Sequence, residues 1–173
     1  MIALLPINLL RFVLVVLLQV LLFSKLDVSP LINIYIYPLF IMLLPFETPK
    51  WLQMILGMLI GLVIDFFLGT MGMHASAGLL IGYLRPALLN AIAPRGTEYE
   101  VAPNIFLQGI SWFSVYTVIM VSIDLLWYLI LENWTFLNIG WLLLKFVISV
   151  FFSTVFILIL LLLTTSSRKR RLS

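Results

Sequence analysis

Long apolar runs separated by short polar breaks make up almost the whole chain, and within each run apolar residues occupy every side of a helix. A helix needs about 20 mostly apolar residues to cross a bilayer. Six runs come near or above that length, at residues 3–23, 30–45, 51–68, 72–92, 104–131 and 137–163. Because these runs lack the two-residue alternation of a barrel strand, we predict an all-α protein with six transmembrane helices in one domain, followed by a tail at 164–173.

Prolines and glycines add detail to this picture. Pro38 falls inside the second run, where it removes a backbone hydrogen bond and is expected to kink the helix. The link Gly69–Gly72 is so short that the third and fourth helices should be antiparallel. The first run is bulky up to Lys25 and lacks the small-x-small pattern of a signal-peptide cleavage site, so we interpret it as an uncleaved first span.

Composition agrees with a membrane protein and narrows the chemistry. The chain has 64% hydrophobic and 10% charged residues, and 173 residues cannot bury that much apolar surface in a water-soluble core. It has no cysteine and one histidine, and it contains no phosphate-binding loop, zinc signature or nucleophile elbow. We therefore predict a protein that is not an enzyme and that uses no metal or cofactor.

The distribution of basic residues predicts the orientation. Six spans place Lys50, Arg85, Arg95 and the four basic residues of Arg168–Arg171 on one side, and Lys25 alone on the other. The positive-inside rule then puts both termini in the cytoplasm. The basic tail is expected to meet anionic lipid rather than nucleic acid. The polar stretch 93–103 should form a cytoplasmic loop between two three-helix halves.

The third run carries the most informative motif, a stripe of small residues with one carboxylate. Gly57, Gly61, Asp65 and Gly69 recur every four residues, which places them on one side of a helix. Glycines at this spacing let another helix approach closely. Asp65 is then either a buried polar group important for assembly, which we favour, or a residue that holds an ion or substrate.

The fourth run repeats the small-residue theme, so a closely packed hairpin is expected. Its small pairs are Gly72 with Ser76 and Gly78 with Gly82. His74 has no second metal-ligand type three or four residues away, so we interpret it as an interfacial hydrogen-bonding residue.

Other charged residues lie within or beside predicted spans. For Arg85 the favoured interpretation is a basic anchor whose stem reaches the headgroups, and the alternative is an ion pair with a carboxylate. A pair of Asp124 with Lys145 is geometrically plausible and would lower the cost of two charges in lipid, although the sequence alone does not establish it.

The predicted hairpin resembles one protein family. It is similar to the rod shape-determining protein MreD in four features: the run from Gly61 to Asp65, a glycine turn, a small-residue helix and a Tyr-Leu pair. The residues that carry the similarity are Gly61, Asp65, Gly72, Ala75, Ala77, Gly78, Tyr83 and Leu84. The similarity is sharp over this hairpin and architectural elsewhere. The segment around Glu98 to Pro103 and the span with Pro38 match no part of the family pattern.

The resemblance implies a non-enzymatic component of the cell-elongation machinery in the bacterial inner membrane. It implies binding to MreC and cooperation with MreB, RodA and a penicillin-binding transpeptidase. It also implies the six-helix fold of substrate-binding subunits from energy-coupling-factor transporters. The alternative function is therefore a transport subunit that captures a small solute, although few polar groups converge near the hairpin.

Overall fold

The computed structural model describes residues 5–22, 32–92, 103, 105–133 and 138–169, and within these ranges it is helical with no β-strand. An all-α fold is thus confirmed for this part of the chain. The predicted loop at 93–103, except Pro103, lies outside the described residues, as do Lys25 and the last four residues of the tail. The helices are α1 (Leu5–Leu17, continued by a π-helical turn at Leu18–Leu22), α2 (Pro38–Met42), α3 (Lys50–Leu68), α4 (Met73–Ile92), α5 (Ile105–Gln108), α6 (Ile110–Glu132) and α7 (Ile139–Lys169).

Within the described ranges, four helices are long and apolar enough to cross a membrane, and together they indicate a membrane-embedded protein. They are α3, α4, α6 and α7, with mean hydropathy 2.1, 1.3, 1.9 and 3.0. The apolar helix at Asn8–Leu21 is shorter. The fifth predicted span begins with a break, because Gly109 adopts a φ of 85° between α5 and α6.

Helices α3 and α4 form an antiparallel hairpin whose backbones touch. A Cβ added to Gly57 would overlap the carbonyl of Gly78, and one added to Gly61 would overlap the carbonyl of His74. Near the other end of the hairpin, a Cβ on Gly82 would lie 2.5 Å from the Gln53 carbonyl oxygen. Small residues on both helices therefore permit an approach that no larger side chain allows.

The second apolar run is not a kinked helix, contrary to the expectation from its sequence. Residues 32–36 have no helical structure, and only Pro38–Met42 forms a short helix, with proline in its first turn. Proline is suited to the first turn because its missing N–H has no partner there in any helix. Pro38 thus starts α2 instead of bending a longer helix.

This irregular segment lies inside the bundle, where side chains satisfy its backbone. The Gln19 amide donates to the Ile34 carbonyl at 3.0 Å and accepts the Ile36 N–H at 2.8 Å. The hydroxyl of Ser153 accepts the N–H of Tyr35 at 2.9 Å. Non-helical backbone at membrane depth is tolerated only where protein or water satisfies its polar groups, and here α1 and α7 supply the partners.

The same segment forms the centre of the apolar core. Ile36, Tyr37, Ile41 and Met42 are fully buried, and they pack with residues of the surrounding helices. Large apolar side chains cover the outside of the bundle, with Phe66 83% exposed. A bundle that buries Tyr37 with its hydroxyl and exposes Phe66 has the arrangement expected for lipid surroundings.

Candidate functional site: two polar clusters inside the bundle

The first cluster lies beside the α3–α4 turn, and Asp65 is its anchor. One carboxylate oxygen accepts the backbone N–H of His74 at 3.1 Å, and the other accepts that of Ala75 at 2.9 Å. These N–H groups belong to the first turn of α4 and have no partner within that helix. Asp65 therefore caps the following helix from the preceding one, and its negative charge lies at the positive end of the α4 dipole.

The turn between the helices supplies a further hydrogen-bond donor to the Asp65 carboxylate. Gly69 ends α3 with a φ of 71°, and Met71 and Gly72 also have positive φ, at 38° and 87°. This path brings the Thr70 hydroxyl within 2.5 Å of the same Asp65 oxygen that His74 Nδ1 approaches at 2.8 Å. Gly69 and Gly72 thus shape the turn, and a Cβ on either would meet open space rather than a helix.

His74 is buried, with 1% of its surface exposed, instead of lying at the membrane interface as its sequence context suggested. Because Nδ1 points to Asp65, the opposite nitrogen, Nε2, points away from it and has no hydrogen-bond partner among the described residues. The imidazole ring packs against three tyrosines, with ring centroids 5.2 Å from Tyr35, 5.7 Å from Tyr37 and 4.7 Å from Tyr128. With a proton on Nδ1, the neutral ring presents Nε2 as an acceptor.

Asp124 of α6 joins the cluster through a tyrosine. The Tyr37 hydroxyl donates to its Oδ1 at 2.5 Å, while Oδ2 is buried without a partner among the described residues. We name the seven residues of this region the turn cluster: Tyr35, Tyr37, Asp65, Thr70, His74, Asp124 and Tyr128.

The expected pair of Asp124 with Lys145 is wrong. Lys145 instead contacts Glu132, with its Nζ 2.8 Å from the carboxylate oxygen Oε2. Glu132 occurs two helical turns after Asp124, close to the end of α6, and Lys145 lies near the start of α7. The pair forms where the two helices adjoin the loop that connects them, and it leaves Asp124 deeper in the bundle.

The second cluster surrounds Arg85 near the other end of α4. The guanidinium is fully buried and donates to the carbonyl of Leu44, to that of Met42 at 3.3 Å and to the Tyr116 hydroxyl at 3.0 Å. Both sequence interpretations of Arg85, a headgroup anchor and an ion pair, are therefore wrong for the described residues. The planar, multiply donating guanidinium instead satisfies carbonyls where α2 ends.

The remaining small residues divide between two surfaces. Gly57, Gly61, Gly78 and Gly82 line the contact of α3 with α4. Ser76 lies on another side of α4, where its hydroxyl donates to the Met73 carbonyl and accepts the indole N–H of Trp127 at 3.2 Å. Of the stripe inferred from the sequence, Gly57 and Gly61 therefore pack against α4 of the same chain, whereas Gly69 lies in the turn, where a Cβ would meet open space.

Sequence reasoning missed the tyrosines of the turn cluster and the role of Gln19. A polar residue between apolar ones at position 19, and the Tyr-Ile-Tyr pattern at 35–37, were the available signals. Both were hidden because the second run was interpreted as a helix, in which residues 35 and 37 would not share one side.

Comparison with known proteins adds no identification. No protein-family model matches the chain, and neither a curated protein nor a solved structure matches it.

Proposed function

We propose that this chain is a non-enzymatic membrane scaffold of the bacterial cell-elongation machinery, similar to MreD. In this proposal it lies in the inner membrane with six spans and both termini in the cytoplasm. It binds an MreC-like membrane protein and thereby regulates cell shape and peptidoglycan synthesis. MreB, RodA and a penicillin-binding transpeptidase are further partners of the same assembly.

The observation that carries this proposal is the closed hairpin. The residues that resemble MreD coincide with the place where two helices touch through Gly57 and Gly61, and where Asp65 fixes the turn. Asp65 accepts hydrogen bonds there from Thr70, His74 and Ala75, and the outward side of α3 carries large apolar side chains. A rigid element with a fixed apolar outer surface suits a scaffold that holds another transmembrane helix.

The hairpin contacts also determine which surface is open to a partner. Because Gly61 faces His74 of the same chain, substitution there would disrupt the hairpin itself and would not test partner binding. The outward side of α3 is formed by large apolar residues that alternate with the buried ones, at positions including Leu59, Leu62 and Phe66. We place the MreC-like contact on this side.

The same contacts weigh against solute capture by the hairpin residues. Asp65 accepts four hydrogen bonds, Ser76 is bonded on both sides, and Asn90 lies exposed near the far end of α4. Of the polar groups that the transport alternative would use, only His74 Nε2 is buried without a partner among the described residues, whereas a capture site needs several polar groups to converge.

The test is photo-crosslinking in the native host. A photo-reactive amino acid at Leu62 of the tagged full-length chain should crosslink to the MreC-like protein encoded by that host, identified by mass spectrometry. The matched control carries the same group at Ile60, which is fully buried, and should yield no such product. Absence of the MreC-like protein both from the Leu62 crosslinks and from material co-purified with the unmodified chain would refute the proposal.

A further inference from the structure

Asp124 combines features that a purely structural carboxylate rarely shows. It lies in a helix apolar enough to cross a membrane, with 0% of its surface exposed. Only one of its two oxygens has a donor in the described part of the chain, the Tyr37 hydroxyl. An ionised carboxylate in such surroundings is expensive unless a positive charge or several donors compensate it.

The basic residues described around this region are engaged elsewhere. Lys145 contacts Glu132, Arg85 donates to carbonyls and to Tyr116, and His74 Nδ1 faces Asp65. Among described residues, then, no basic side chain lies within ion-pair distance of Asp124. Its charge must be balanced by something that the side chains in these ranges do not supply.

A second buried atom in this region has no hydrogen-bond partner among the described residues. His74 is 1% exposed, and its Nε2 is an acceptor when the ring proton lies on Nδ1, which faces Asp65. Tyr37 contacts both groups, since its ring packs on His74 while its hydroxyl donates to Asp124. Two buried polar atoms of the turn cluster, Asp124 Oδ2 and His74 Nε2, are therefore open within the described part of the chain.

We propose that Asp124 reversibly binds one positive charge, either a proton or a monovalent cation, at the Oδ2 side of its carboxylate within the turn cluster. The ligand satisfies the open oxygen and neutralises the carboxylate. Tyr37 holds Oδ1 in place, and the aromatic rings around His74 exclude bulk water. This site does not depend on the scaffold function, and it would exist whether or not an MreC-like protein binds.

Other titratable groups near Asp124 must be separated from it in any experiment. They come from the segment before α2, from the hairpin, from α6 itself and from α7: Tyr35, Tyr37, Asp65, His74, Tyr128, Glu132 and Lys145. Asp124→Asn removes the ionisable group and keeps an oxygen that can accept from Tyr37. Glu132→Gln removes the neighbouring carboxylate, which contacts Lys145 and lies outside the turn cluster.

The experiment measures thermal unfolding of the full-length chain in lipid nanodiscs. One arm varies NaCl, KCl and choline chloride at constant ionic strength, and the other varies pH in choline chloride. A ligand that binds only the folded state raises the melting temperature with its concentration. For the wild-type chain we expect a rise of about 2–4 °C or more in one arm. Asp124→Asn should abolish that rise, whereas Glu132→Gln, which lies outside the turn cluster, should preserve it.

Infrared difference spectroscopy of the wild-type chain provides a measurement that needs no variant. A protonated-carboxyl band that appears as pH falls, in protein labelled at aspartate carbons, identifies the ligand as a proton. A carboxylate band shifted by Na⁺ or K⁺ but not by choline identifies it as a metal cation. If neither band changes and the melting temperature of the wild type responds to salt and pH as that of Asp124→Asn does, the proposal is wrong.

Discussion

Asp65 and His74 meet across the α3–α4 turn, where one carboxylate accepts both the backbone N–H and the ring Nδ1 of the histidine, at 3.1 and 2.8 Å. The contact joins the end of one apolar helix to the beginning of the next. It explains why a charged residue occurs inside a predicted span, since the carboxylate satisfies amides that α4 would otherwise leave open.

Two substitutions of Asp65 should destabilise the hairpin to different extents. Asp65→Asn keeps one acceptor oxygen but presents an NH₂ group where Thr70 or the Ala75 N–H now donates, so we expect a loss of about 1–2 kcal/mol. Asp65→Leu leaves the first amides of α4 unsatisfied and should cost about 3 kcal/mol or more. Unfolding in mixed micelles measures both. Equal stability of the Leu and Asn variants would show that the cap is unimportant.

The glycine contacts predict a strong dependence on side-chain size. Gly57→Leu forces a side chain into the carbonyl of Gly78, so the helices must separate, with an expected loss of about 3 kcal/mol or more. Gly140→Ala is the matched control, because a Cβ at that position of α7 meets open space. It should be neutral or stabilising by up to about 1 kcal/mol. If both variants lowered the melting temperature by the same amount, that result would contradict this packing.

The hairpin was predictable from sequence because its determinants are local. Glycines every four residues and a short glycine turn indicate two helices in close contact, whatever surrounds them. Turn positions such as Gly69 and Gly72 could not be distinguished from helix-contact positions such as Gly57, because glycines at regular spacing look alike until the helix end is known. The C-terminal end of α3 decides this, and it places Gly69 in the turn.

The segment before α2 was not predictable, because its partners are remote in sequence. Hydropathy alone assigns residues 30–45 to a span. In the structure, residues 32–36 are not helical, and Gln19 and Ser153, which lie on two different helices, satisfy part of their backbone. A one-dimensional pattern does not record such long-range hydrogen bonds.

Removing the Gln19 amide should therefore destabilise the non-helical segment at residues 32–36. Gln19→Met has a similar length but neither donates to Ile34 nor accepts from Ile36, and it leaves two buried backbone groups unpaired. We expect a loss of about 2–4 kcal/mol and faster hydrogen exchange at the Ile36 amide. Ser114→Ala is the control, since that hydroxyl bonds only to the Ile110 carbonyl of its own helix. Unchanged exchange at Ile36 in Gln19→Met would contradict the role of the amide.

Arg85 should not tolerate the change to lysine. The guanidinium donates along two carbonyls and Tyr116 at once, and a single ammonium group cannot reproduce that geometry. Arg85→Lys is expected to lose about 2–3 kcal/mol, with increased hydrogen exchange at residues 41–44. Tyr116→Phe removes one of the three acceptors and should cost about 1–2 kcal/mol. A lysine variant as stable as the wild type would show that the several donors of the guanidinium are not required.

A double-mutant cycle separates the Lys145–Glu132 pair from Asp124. Lys145→Met and Glu132→Gln remove the same contact, so their effects on the free energy of unfolding should be less than additive, with a coupling of about 0.5–2 kcal/mol. Lys145→Met combined with Asp124→Asn should be additive within about 0.5 kcal/mol, because those residues do not touch in the structure. The opposite result, with Lys145 coupled to Asp124 and not to Glu132, would restore the pairing expected from sequence and would supply Asp124 with a basic partner.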